Sequence, residues 1–200
     1  MGFSRSIVVG SSAFMLGMVF VCQVIDIPLL YMPVTDEAIA NAYKFYGMWY
    51  EAPGAVKVLF HVALMLPVVA LVAKLHRWTE SAMFFDGSSL ALQVATIVLY
   101  LTVHIPSLRT FLPDSQTTTS FSILPPPPPR AVEPTESEKI EAVRVLAAGN
   151  TLVGLLTLGV IGMQLGQEYA RRQEEKEQRE IDARAGVAAA AAGAESKKTI

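Results

Sequence analysis

Between Val145 and Gly166 the chain runs 22 residues without a charge, VLAAGNTLVGLLTLGVIGMQLG, and the charged run QEYARRQEEKEQRE follows at once. At about 1.5 Å per residue, a helix of this length covers a hydrocarbon core of roughly 30 Å. The stretch predicts a membrane-spanning helix with an abrupt aqueous end. It carries two amides, Asn150 and Gln164, and the glycines Gly149, Gly154, Gly159, Gly162 and Gly166. Small residues let helix backbones approach closely in lipid, so one narrow face is suited to contact with another helix.

The charge distribution fits a membrane protein. Charged residues make up 17% of the chain, where soluble domains carry about a quarter. They are thin as far as Gly166 and dense beyond it. A net charge of -2 gives no reason to expect nucleic acid as a partner. The lone cysteine, Cys22, has no second thiol for an intramolecular disulfide or a metal cage.

Three further apolar runs precede the last one, at about 7–25, 55–73 and 88–107. The first follows Arg5 and resembles a signal peptide. It is long and no A-x-A cleavage site follows, so a retained span is expected, with Asp26 and Pro28 at its far end. Ala13 and Gly17 place small residues four apart on it. The loop that follows predicts a short helix from Asp36 to Tyr50, with Tyr43, Tyr46, Trp49 and Tyr50 as an interfacial aromatic belt. The second span sets Lys57 and His61 one turn apart and is kinked at Pro67. A short connection then forces the second and third spans into an antiparallel pair, with a turn at Asp86-Gly87 and Asp86 or Ser88 capping the next helix. Gln93, Thr96 and His104 lie inside the third span, and Pro106 at its end. The longest loop holds Pro125 to Pro129, a stiff polyproline spacer. The fold class expected is all-α: four transmembrane helices over 1–166 and a charged, partly helical cytosolic tail over 167–200.

Four spans put both termini on one side. Positive charge near the membrane is almost balanced, and the Arg171-Arg172 pair tips it toward the terminal side. The chain ends Lys197-Lys198-Thr199-Ile200, with lysines third and fourth from the end. This looks like the dilysine retrieval signal of endoplasmic reticulum membrane proteins, which works from a cytosolic C-terminus. Both termini are then cytosolic.

Motifs for catalysis do not assemble. The sequence has no nucleotide-binding glycine loop, no H-E-x-x-H and no G-x-S-x-G. His61, His76 and His104 lie in different elements without metal-ligand spacing. No cofactor or metal is expected. Asp26, Lys57, His61 and His104 are the residues a membrane enzyme or small transporter would have to use.

Three segments together resemble a known family. VKVLFH opens the second span, FFDGSSL opens the third, and VLAAGNTLVGLLTLGVIGMQLGQEYA forms the fourth. From about residue 7 to 175 the chain is similar to the fungal Shr-type endoplasmic reticulum membrane proteins, packaging chaperones for amino acid permeases. The resemblance implies a non-enzymatic protein of the endoplasmic reticulum membrane. It would bind newly inserted permeases, prevent their aggregation and help them enter coated (COPII-type) transport vesicles. Its partners would be the permeases, vesicle coat components reached through the cytosolic tail, and the bilayer. Pairing in lipid depends on close packing and interhelical hydrogen bonds, each worth about 1 kcal/mol. Asn150, Gln164, Gln93 and His61, with the glycine face around Gly154, are the residues to offer such contacts to a client. The same residues are equally suited to packing the four spans together. A structural or accessory subunit of a stable membrane complex is the alternative function.

Overall fold

The computed structural model describes the backbone of residues 2–76, 80, 82–112 and 133–196. The described residues are mostly helical and contain four helices long and apolar enough to cross a membrane. The elements are α1 (Phe3–Tyr31), α2 (Asp36–Tyr50), α3 (Gly54–Leu75), α4 (Ala82–Phe111) and α5 (Glu136–Ser196). All but α2 are the candidate spans. The proline run and Lys197-Lys198 lie outside the described residues.

The last span is the hub. Residues Val143, Leu146, Asn150, Val153, Thr157, Val160, Gln164 and Gln167 of α5 are buried, at alternating spacings of three and four. Val8, Ser12, Met15, Val19, Asp26 and Leu29 of α1 follow the same rhythm, with half-buried Cys22 filling the one gap. This is the seam of helices that pack side by side with interlocking side chains. The two helices run antiparallel: Arg5 meets Glu168, Val19 lies against Gly154, and Asp26 meets Asn150. The termini therefore share one end of the bundle, here the terminal end. The α1–α2 connection and the end of α4 lie at the other, the loop end.

The glycines of α5 are used for close approach. A β-carbon on Gly149 would lie 3.0 Å from His104 Cε1, one on Gly159 would lie 2.9 Å from Leu92 Cδ1, and one on Gly166 would lie 3.1 Å from Phe85 Cε1. Three glycines thus admit α4, while Gly154 admits Val19 of α1 at 3.3 Å. Outward positions such as Phe20, Val24, Leu59, Val69, Val98 and Leu155 are exposed and apolar. That pattern suits a lipid solvent and would be unusual in water.

The structure departs from the sequence reading at the helix ends. α1 continues through Asp26 and Pro28 to Tyr31. Asp26 falls on the buried seam, so its carboxylate points inward to protein donors instead of ending the helix. Asp86 and Gly87 make no turn and Asp86 caps nothing: α4 already begins at Ala82, with a π-helical turn over Ala82–Asp86 that aims Asp86 inward. Inside, Asp86 gains three polar partners where a cap would give it one backbone N–H. A second π turn, Tyr100–His104, precedes Pro106, and the helix runs on to Phe111. Proline lacks an N–H and crowds the carbonyl four residues back, and the wider π turn accommodates this. In α3, Pro67 is buried within a continuous helix, and Gln93 Nε2 donates to the carbonyl of Leu64, three residues before it, at 2.8 Å.

Caps explain the remaining boundaries. Thr35 Oγ1 accepts from the Ala38 N–H at 3.2 Å, and Asp36 and Glu37 sit in the positive first turn of α2. Thr135 and Glu138 form a reciprocal capping box at the start of α5. α5 then runs unbroken for 61 residues, through the charged tail and the alanine-rich segment that follows it. At about 1.5 Å per residue it is roughly 90 Å long, three times the hydrocarbon core.

Candidate functional site

Heptad spacing places Asn150, Thr157 and Gln164 on one line along α5, all buried. The two amides at the ends of this line organise two polar stations, one near each end of the bundle.

At the loop end, four elements meet. Asn150 Nδ2 donates to Asp26 Oδ2 at 2.9 Å and to the Tyr46 hydroxyl at 2.8 Å. The Tyr46 hydroxyl in turn donates to Asp26 Oδ1. His104 Nε2 lies 3.0 Å from Asn150 Oδ1, and His104 Nδ1 lies 3.2 Å from the Leu99 carbonyl. The amide orientation follows from its two acceptors, so the His104 nitrogen facing Oδ1 carries the proton. Asp26 is fully buried and Tyr46, Asn150 and His104 nearly so. Burial and the neighbouring Asp26 carboxylate push the Tyr46 phenol up from its ordinary value, so it stays protonated and keeps donating. Tyr46 is thus no member of an interfacial belt. Its neighbour Tyr43 stacks on Phe111 with ring centroids 5.2 Å apart, and together they seat α2 on the end of α4. Leu29, Ala42, Val143, Leu146 and Ala147 close the apolar shell around the station.

The terminal end is built from charge. Lys74 Nζ donates to Asp86, to Gln164 Oε1 at 2.6 Å and to Gln167 Oε1 at 2.8 Å, which uses its three hydrogens. Gln164 Nε2 reaches Asp86 Oδ1 at 3.1 Å and Ser89 Oγ at 3.0 Å, and Gln167 Nε2 reaches Asp86 Oδ2 at 2.9 Å. One turn further out, Arg5 of α1 pairs with Glu168, which Arg171 and Arg172 also hold. All four spans are tied together here.

The residues singled out from sequence are dispersed through this framework. Asn150 and Gln164 anchor the two stations, Gln93 bridges α3 and α4, and Gly154 packs on α1. His61 is half-buried; its Nδ1 lies 2.6 Å from the Lys57 carbonyl and its Nε2 3.0 Å from the Tyr100 hydroxyl. All five are engaged within the bundle. Of the residues a membrane enzyme would need, Asp26 and His104 are brought together through Asn150. Lys57 lies instead over the Tyr50 ring at 5.5 Å, and His61 pairs with Tyr100. Among the described residues no group of three or more His, Cys, Asp or Glu converges as a metal site. Sequence reading did not assign Tyr46, Lys74, Ser89, Gln167, Glu168 or Arg5 to a site. The seam rhythm was the available signal: Asp26 and Asn150 continue it on two helices, and Gln164 and Gln167 continue it into the charged run.

Comparison with known families places the chain. The SHR3 chaperone family, whose model is described as "ER membrane protein SH3", matches residues 1–200, and the chain belongs to that family. No curated protein and no solved structure shows a match. The chain is therefore a member of a family of endoplasmic reticulum membrane chaperones, with four helices fit to cross the bilayer.

Proposed function

We propose that the protein is a non-enzymatic chaperone that assists the folding of amino acid permeases and their packaging into transport vesicles. The family match across the whole chain carries this reading. The architecture suits it. The outer faces are apolar, as lipid and client helices require, and the polar groups sit on helix seams where hydrogen bonds can be exchanged between helices. In this reading Asn150, Gln164, Gln93, His61 and Gly154 contact a client by trading partners they already hold in the bundle. Weak contacts of about 1 kcal/mol each favour release over permanent assembly.

Both termini are cytosolic in this proposal, and α5 carries the chain end outward from the membrane. Coat components meet the protein through that tail, and Lys197 and Lys198 return escaped molecules to the endoplasmic reticulum. Deletion of the protein should leave amino acid permeases inside the cell, aggregated in the endoplasmic reticulum membrane, as read by surface localisation and detergent fractionation. Undiminished permease at the surface would overturn the reading. Replacing both lysines with serine should move part of the protein beyond the endoplasmic reticulum. Unchanged localisation would assign retention to the spans.

A further inference from the structure

Asp26 presents a chemical oddity. It is a fully buried carboxylate, and the groups that reach its oxygens in the structure are a phenol and an amide. Its counterpart Asp86 is paired with an ammonium group. A carboxylate held by neutral donors can exchange one of them for another neutral donor without any change of charge in the site. A buried ion pair cannot, because loss of either partner strands a charge in a medium of low polarity.

The exchangeable donor also sits on the shortest helix, the one outside the four candidate spans. α2 is 15 residues long, lies outside the four spans, and buries only Ala42 and Tyr46. Helices of this length are marginal on their own, so α2 owes its place to what it touches. It is held to the bundle by the Tyr46 hydroxyl, by Ala42 in the apolar shell with half-buried Ala38, Ile39, Phe45 and Tyr50 around it, and by the rings of Tyr43 and Tyr46 against Phe111. Extended or bent residues at Met32–Thr35 and Glu51–Pro53 flank it on both sides. Moving α2 outward removes Tyr46 from Asp26 and leaves α1, α4 and α5 joined by their own seams.

We propose that α2 is a latch over a client-helix site, in which Asp26 and Asn150, uncovered when Tyr46 withdraws, take a hydrogen-bond donor from a transmembrane helix of an incompletely assembled membrane protein. The inference rests on the chaperone reading and names the site for it. The partner is defined by its chemistry. It is a lipid-embedded helix bearing a neutral polar side chain such as Ser, Thr, Asn or Gln, whose own partner helix has not yet arrived. Bonds to a charged acceptor are roughly twice as strong as neutral ones, which distinguishes such a helix from a purely apolar one. Closure of α2 restores the Tyr46 bond and displaces the client, so release is built into the same contact.

The chain supplies its own reporter. Cys22, its single cysteine, lies one turn before Asp26 on the buried seam and packs against the cluster that contains Tyr46. In membranes containing the full-length protein, Tyr46→Phe should speed N-ethylmaleimide labelling of Cys22 by roughly tenfold, the equivalent of one hydrogen bond to the carboxylate. Unchanged labelling overturns the latch. A benzophenone maleimide attached at Cys22 then reads what occupies the opened site. During synthesis of a multi-span client with one mid-helix Asn, photolysis should give a client adduct. The adduct should increase with Tyr46→Phe, fall several-fold with Asp26→Asn, and be weak for a client with Leu at that position. Equal adducts for the Asn and Leu clients, or no effect of Asp26→Asn in a protein of normal abundance, overturn the site. If the untreated protein co-purifies with the client but no adduct forms at Cys22, the latch fails and the chaperone reading stands. If it captures no client at all, the chaperone reading itself falls.

Discussion

The two polar stations use the same device, an α5 amide reaching a carboxylate, and differ in what balances the charge. At the terminal end Asp86 faces Lys74, and Arg5 faces Glu168. At the loop end Asp26 faces Tyr46 and Asn150, with His104 behind the amide. The first arrangement ties helices to helices, and every partner belongs to a membrane-spanning element. The second ties the spans to α2, which is outside the four candidate spans. The difference separates a clamp from a catch. A charge-balanced station fixes the order of the four spans, whereas a station of neutral donors holds a movable piece against a site with unspent hydrogen-bonding strength.

Removing the carboxylates separates these roles most sharply. Asp86→Ala leaves the half-buried Lys74 ammonium with only amide oxygens. Breaking a buried pair on one side costs about 3–5 kcal/mol. Asp26→Ala leaves neutral donors unsatisfied, for about 1–3 kcal/mol. Thermal unfolding in mild detergent should therefore rank Asp86→Ala as the more damaging by a clear margin. The reverse order would mean that the loop end carries the structural load, and the distinction between clamp and catch would fail.

Glycine substitutions sharpen the comparison at smaller amplitude. Alanine at Gly149 presses on His104 Cε1 at 3.0 Å and Val103 Cγ1 at 3.2 Å, and His104 is buried and hydrogen-bonded to Asn150. Alanine at Gly166 meets the edge of Phe85 at 3.1 Å, a half-exposed ring. Overpacking against groups that cannot yield costs about 1–3 kcal/mol. Gly149→Ala should fall in that range and also speed Cys22 labelling, because displaced His104 disturbs Asn150. Gly166→Ala should be milder and leave Cys22 unchanged. Equal effects on stability and labelling would show that the two ends are mechanically one unit.

The sequence made the spans legible because 22 uncharged residues in a row have few other fates, and α2 because Thr35, Asp36 and Glu37 mark its start. The glycine face of α5 was legible for the same reason, since small residues at helical spacing in lipid imply close approach. The pairings were not. Asp26 reads in sequence as an end-of-span charge, because nothing local reveals that it stays on the seam. Its partners come from residues 46 and 150, and only the packed bundle joins them. Asp86-Gly87 resembles a turn for the same reason: local propensity favours a cap there, and the tertiary pull of Lys74, Gln164 and Gln167 overrides it. The π turns that deliver Asp86 and His104 have no sequence signature comparable with a cap.

Gly162 supplies the smallest expected effect and the control for both ends. It is the one glycine between 145 and 166 whose added β-carbon meets nothing within 4 Å, and it lies on the outward face with exposed Leu155, Leu158 and Leu165. Alanine there adds helix propensity and touches no neighbour, so stability should hold or rise by up to about 1 kcal/mol. Leucine should be tolerated as well, since the position opens to lipid. If Gly162→Leu leaves unfolding unchanged and client recovery intact, recognition belongs to the seam and its catch. If unfolding is unchanged but client recovery drops, the outward face of α5 is itself a contact surface. The contrast between the two ends would then describe how the bundle is held together and leave client recognition to its flank.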